Sequence, residues 1–194
     1  MTRHEWGLSM KTKKNDLEQF LNRLPDGSRA CGEARSWARG RTAAMAWETC
    51  PRGDWLLWMA GKAGVDRVTI VRAACQCARL SLQFVTPGEN RPRIAIETAE
   101  RWCTGNTSIT EVRAAAAAAV YAAGAAAGAA AAAAATATAV YAADAADAAG
   151  TAAARVVVAC PETKLECANI VREHIGYTTI YKAFLKITGE VQAS

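Results

Sequence analysis

The sequence predicts an all-α protein, a single-domain array of about 9–11 antiparallel helices close-packed through alanine-rich segments. Three observations carry this expectation. First, the 30 residues between Arg113 and Asp144 are uncharged and nearly all Ala. Alanine is the strongest helix former because it loses no side-chain entropy on folding. Second, apolar residues elsewhere recur at i, i+3, i+4 and i+7, between residues that cap helices. Third, no segment alternates convincingly with a period of two. Val156-Val157-Val158 is too short to stand as a strand without a partner.

The elements follow in order. Residues 1–14 are polar and basic and read as a loose arm, preceding one helical domain over 15–190. Asn15 or Asp16 caps a first helix whose stripe is Leu17, Phe20, Leu21 and Leu24. Pro25-Asp26-Gly27-Ser28 turns the chain. A short helix is expected from Ser28 to Ala38, with Cys31, Ala34 and Trp37 or Ala38 on one side. Thr42 caps the next, to Glu48. Asp54 is expected as the N-cap of Trp55–Ala60, which is apolar all round and ended by Gly61 and Gly64. Asp66 caps a helix to about residue 82, with Val68, Val71, Cys75, Ala78 and Leu82 inward. Pro92 opens a helix to Cys103 that carries Ile96, Ala99 and Cys103 on one side. These segments form a Trp-rich part over 28–103, and the Ala-rich array occupies 108–159.

Ser108 and Glu111 make a capping box at the entry to that array. Ala-Val-Tyr-Ala-Ala at 119–123 recurs at 139–143. One rod over 108–158 would be about 75 Å long, too long for a compact domain, so two or three helices are expected. Gly124 to Gly128 and Gly150 are the turning points. Pro161 starts a helix with Leu165, Ala168, Val171 and Ile175 on its stripe, and a last helix runs from Thr179 to Ile187 with Ile180, Phe184 and Ile187 inward.

Composition excludes several function classes. The uncharged run exceeds the ~20 residues that span a bilayer, but it holds no Leu, Ile or Phe to drive insertion. No membrane span is expected. Seven Cys, an odd number, and an N-terminus without an apolar signal core point to a reducing cytoplasm and buried free thiols. Cys75-x-Cys77 does not match a zinc spacing, since i and i+2 diverge by about 200° on a helix. Asp144 and Asp147 share a helix face, as the wet edge of an Ala helix rather than a cation site. His4 and His174 are isolated, and no phosphate loop or nucleophile motif occurs. Neither a catalytic residue, a metal nor a cofactor is expected. The net charge of +5 permits contact with nucleic acid without demanding it.

The densest chemistry lies between residues 37 and 58. Arg41, Trp47, Glu48, Arg52, Asp54, Trp55 and Trp58 are the candidate binding residues. Trp and Arg dominate binding hot spots because both bury planar area and keep a donor. Two readings stand side by side. In one, Asp54 caps, Arg52 pairs with a carboxylate, and the Trp supply bulk that the alanines lack. In the other, the segment is a recognition surface.

The pattern Ala30-Cys31-x-x-Ala34-x-x-Trp37-Ala38 precedes Ala46-Trp47-Glu48-Thr49-Cys50-x-Arg52-Gly53-Asp54-Trp55-Leu56-Leu57-Trp58. Ile96, Ala99 and Trp102 then lead into the Ala-rich array. Together, over roughly residues 28 to 175, these resemble a family of small, alanine-rich, all-α bacterial and phage immunity proteins. The resemblance implies a non-catalytic cytoplasmic protein that binds and neutralises a toxin or another effector of bacterial conflict. The N-terminal arm, the C-terminal helix and the scarcity of charges in the Ala array depart from the family pattern. The same scaffold leaves room for a phage counter-defence role, capturing a host defence protein, a nucleotide signal or nucleic acid. A third reading is a structural protein whose flat Ala faces self-associate.

Overall fold

A computed structural model describes residues 16–24, 30–85, 87–124 and 164–188. Among them the chain is helical with no strand. The helices are α1 (Asp16–Arg23), α2 (Gly32–Ala38), α3 (Ala43–Thr49), α4 (Gly53–Ala63), α5 (Arg67–Arg79), α6 (Arg91–Cys103), α7 (Ile109–Gly124), α8 (Lys164–His174) and α9 (Tyr177–Thr188). No helix among the described residues is long and apolar enough to cross a membrane. The basic arm, Pro161, the 119–123 and 139–143 repeat taken as a pair, Asp144, Asp147, Gly150 and 156–158 lie outside the described residues or extend beyond them.

The expected caps at three helix starts are in place. Thr42 Oγ1 accepts from Met45 N–H at 3.2 Å, and Asp66 Oδ1 from Thr69 N–H at 2.9 Å. At α7, Ser108 Oγ accepts from Glu111 N–H at 3.3 Å while Glu111 Oε2 accepts from Ser108 N–H at 2.8 Å. This reciprocal pair satisfies two donors that a helix start otherwise leaves orphaned. The Ser108 N–H, with the Thr107 and Ser108 hydroxyls, pulls the Glu111 carboxyl from 4.5 down to about 2. A depressed carboxyl stabilises the fold above its unfolded value and loses that contribution as pH falls through the folded one. The start of α7 is therefore expected to fray between about pH 4.5 and pH 2. Amide exchange at Ile109–Val112 should rise across that window, and Glu111→Gln should abolish the pH dependence.

Four expectations are corrected. α2 starts at Gly32, not Ser28, and Cys31 is exposed and caps it through Sγ, 3.5 Å from Ala34 N. No residue of α2 is fully buried, so nothing draws Cys31 inward. α4 starts at Gly53, which puts Asp54 inside its first turn rather than at the N-cap. Arg52 holds the cap position, and Gly61 lies within the helix; Gly64, at φ 82°, ends it in the left-handed region that glycine tolerates. α5 gives way after Arg79 to a tighter 3₁₀ turn, Leu80–Phe84, instead of continuing as an α-helix to residue 82. In α8, Leu165 is 57% exposed and Cys167 takes its place in the core. At 100° per residue, Leu165 falls well to the side of the face shared by Cys167, Val171 and Ile175.

Two apolar cores form, and α5 separates them. Ile70, Ala73, Ala74 and Cys77 face the larger, with Phe20, Trp47, Leu56, Leu57, Ile175, Ile180 and Phe184. Val71, Cys75 and Ala78 face the smaller, with Ala95, Ile96, Ala99 and Val112. Phe20 of α1 stacks on Phe184 of α9 at 4.1 Å, so the two ends of the described chain meet. Alanines and Gly53 let α4 and α8 approach closely.

Of the six described thiols, Cys50, Cys75, Cys77, Cys103 and Cys167 are buried. Burial pushes Cys50 up to about 11 and raises Cys75 and Cys103. A hydrogen bond with Cys167, together with burial, raises Cys77. A maleimide at neutral pH should therefore label Cys31 at once and the five buried thiols at least ~100-fold more slowly, through opening of the fold. Peptide mapping of Cys31, Cys50, Cys75, Cys77, Cys103 and Cys167 checks this. Rapid native labelling of Cys75 or Cys77 would contradict the packing.

Candidate functional site

The seven candidate residues do not act as one surface. Trp47 is 2% exposed and belongs to the larger core. Its backbone carbonyl accepts from Arg172 Nε at 2.8 Å, and Arg172 Nη2 also donates to the Cys50 carbonyl. Arg172 of α8 thus closes the C-terminal end of α3, where helix carbonyls lack partners. Glu48 is exposed on α3 and acts electrostatically on Arg172 and Tyr177, away from the other candidates. Asp16, at the start of α1, accepts the Ala43 N–H through Oδ1 at 2.8 Å. Its Oδ2 and the Tyr177 hydroxyl are buried with no hydrogen-bond partner among the described residues. Burial, reinforced by the Asp16 charge, raises the Tyr177 phenol.

The remaining five converge. Arg52 makes a two-point pair with Asp54, Nε to Oδ1 at 3.0 Å and Nη2 to Oδ2 at 2.6 Å. Asp54 is 1% exposed and Arg52 14%. Arg52 also reaches Glu33 of α2 at 3.3 Å. Its guanidinium lies 4.5 Å from the centre of the Trp55 ring. Trp55 meets Trp37 of α2 at 5.8 Å with the planes tilted 55°. Arg41 lies 4.4 Å from the Trp37 ring centre and donates to the Trp37 carbonyl. Such cation–ring contacts are worth ~0.5–2 kcal/mol each, more as water is excluded. The order Arg41–Trp37–Trp55–Arg52–Asp54 is one continuous stack on the edge of the larger core.

Beside this stack is an apolar cleft of about 40 Å³, whose walls include Leu17, Leu21, Ala38, Trp55, Trp58 and Met59. A second pocket of about 110 Å³ adjoins it through the shared residues Leu21 and Ala38. Glu18, Arg35 and Arg39 line that one. Arg35 donates to Asn22 at 3.3 Å. Trp37 and Arg39 belong to the dense stretch from residue 37 to 58 although they are not among the seven candidates, whereas Arg35 lies outside that stretch and carried no signal in the sequence. Arg35 lies on α2 and Arg39 is the non-helical residue that ends it, so the turn at the end of α2 brings Arg39 to the same pocket.

The chemistry this arrangement offers is recognition. Planar guanidinium and indole groups sit at an apolar opening, with spare donors on Arg39 and Arg41. Cys50 borders the cleft, but its thiol, pushed up to about 11, stays protonated and unreactive at neutral pH. No group of three His, Cys, Asp or Glu placed to hold a metal occurs among the described residues. His174 is exposed at the end of α8, apart from the cleft. The chain matches no protein-family profile, no curated protein sequence and no solved structure.

Proposed function

We propose that this protein is a non-catalytic binding protein of bacterial and phage conflict that neutralises a toxin or another effector in the cytoplasm by covering part of its surface. The observation that supports this reading is the half-buried stack of Arg41, Trp37, Trp55 and Arg52 beside an apolar cleft. Large aromatic and arginine side chains held ready at an opening are the composition of an interface hot spot. Their rigidity also lowers the ordering cost of binding. The sequence resemblance to immunity proteins supplies the biological setting for such an interface.

A nucleotide or nucleic-acid ligand is the weaker reading. Base binding relies on open aromatic faces, whereas a guanidinium lies over each of the two rings. Affinity that falls steeply with salt would favour it instead, since phosphate contacts release counterions.

The experiment is capture from the source cell with the intact protein and with Trp55→Ala, each first shown by circular dichroism to be folded. The captured protein is then expressed with and without this chain. Growth arrest relieved by the intact chain, and not by Trp55→Ala, is the expected result. Recovery of no partner by the intact chain would refute the proposal.

A further inference from the structure

The apolar cleft and the arginine pocket share a wall, and this juxtaposition says more than either alone. The cleft holds about 40 Å³. One water needs roughly 10–15 Å³ on that scale, so the cleft has room for a branched aliphatic end and not for an indole. Across Leu21 and Ala38 the neighbouring pocket has two guanidinium groups and one carboxylate, Arg35, Arg39 and Glu18. Among the described residues, exposed Arg39 has no hydrogen-bond or ion-pair partner, and Arg35 has only a neutral one, Asn22. Arg35 of α2 and Arg39, the residue that ends it, thus line one pocket with a single carboxylate between them. One added carboxylate balances the pocket. A phosphate dianion would overfill it against Glu18.

We infer that the α2 edge is a two-part docking site for an acidic protein segment, whose Leu or Ile side chain enters the cleft while a neighbouring Asp or Glu pairs with Arg35 and Arg39. This rests on the reading of the Trp37–Trp55 face as a protein-binding surface, and it adds the chemistry of the partner. The fork of an arginine matches a carboxylate at two points, which fixes orientation as well as attraction. The order of the two subsites sets a sequence requirement, an acid next to an aliphatic residue. The basic segment 1–14, with Arg3, Lys11, Lys13 and Lys14 against Glu5, has the wrong sign to be the occupant.

The test is selection of a random peptide display library on the intact chain, followed by titration of the winning peptides against Trp fluorescence. Winners are expected to place Leu or Ile beside Asp or Glu. Their affinity should fall at least ~10-fold on Arg35→Glu, on Arg39→Glu, and on Glu→Gln or Leu→Ala changes in the peptide. Ala38→Trp, which fills the shared wall, should abolish binding while circular dichroism shows the fold intact. Winners without an acidic residue, winners indifferent to both arginine changes, or no winners at all would overturn the inference. A captured partner lost on Trp55→Ala yet unaffected by Arg35→Glu and Arg39→Glu would also overturn it, and would leave the broader binding proposal standing.

Discussion

Replacing Arg52 by methionine is expected to cost about 3–5 kcal/mol of stability, the range for removing one partner of a buried ion pair. The change leaves Asp54, 1% exposed, without the two hydrogen bonds that Arg52 supplies. The carboxylate cannot swing out to water, because it lies in the first turn of a buried helix. The reverse change should be milder. In Asp54→Ala the guanidinium keeps Glu33, its place over Trp55 and some contact with solvent. Arg52→Lys should fall between the two, retaining charge but losing the planar fork. Replacing both residues, Arg52→Met with Asp54→Leu, should recover much of the loss, since apolar substitutes for a buried pair are often tolerated. Urea unfolding of the four variants measures the ordering. A loss below ~1 kcal/mol in Arg52→Met would show that the pair is not what holds Asp54 in place.

The second large effect is at Gly53. In most helices Gly→Ala stabilises by up to ~1 kcal/mol. At Gly53 the sign reverses. A Cβ there would stand 2.7 Å from Cys167 Cβ, 2.8 Å from the Cys167 carbonyl carbon and 3.0 Å from Ala168 N. Two of these atoms are backbone, so relief requires moving α4 against α8 rather than rotating a side chain. Gly53→Ala should therefore destabilise by ~1–3 kcal/mol, a fall in Tm of roughly 3–10 °C for a chain of this length. Gly32→Ala is the control, because a Cβ at Gly32 meets nothing within 4 Å. Thermal unfolding of both should show a drop at Gly53 and a neutral or slightly raised midpoint at Gly32. Equal midpoints would mean that the close approach of α4 and α8 is not under strain.

What could be read in the chain was what neighbours in sequence decide. The stripe Leu17, Phe20, Leu21 and Leu24 is buried, and Thr42, Asp66 and Ser108 cap where local chemistry places them. The errors fall where a distant segment decides. Trp47 and Trp55 look alike in sequence, since an indole suits both a core and an edge. Trp47 is enclosed in a core that includes α8 and α9, more than 100 residues on, while Trp55 faces α2. The demand for glycine at residue 53 is set by Cys167 and cannot be read from its own neighbours. The site was half legible. Arg39, Arg52, Asp54, Trp55 and Trp58 stand in one dense cluster of the sequence, but Arg35 joins them only through Glu18 and Leu21 of α1, a tertiary juxtaposition.

The partition of the two cores by α5 also sets an order of assembly. Among the described residues, the smaller core draws on Val68 to Ala115, all close in sequence, whereas the larger requires Cys167–Phe184 to return to Leu17–Leu80. Loop closure over so long a span slows the second event relative to the first. During refolding, α5, α6 and α7 should acquire amide protection first. α5 then presents its opposite face as a preformed template, onto which α1, α3, α4, α8 and α9 condense.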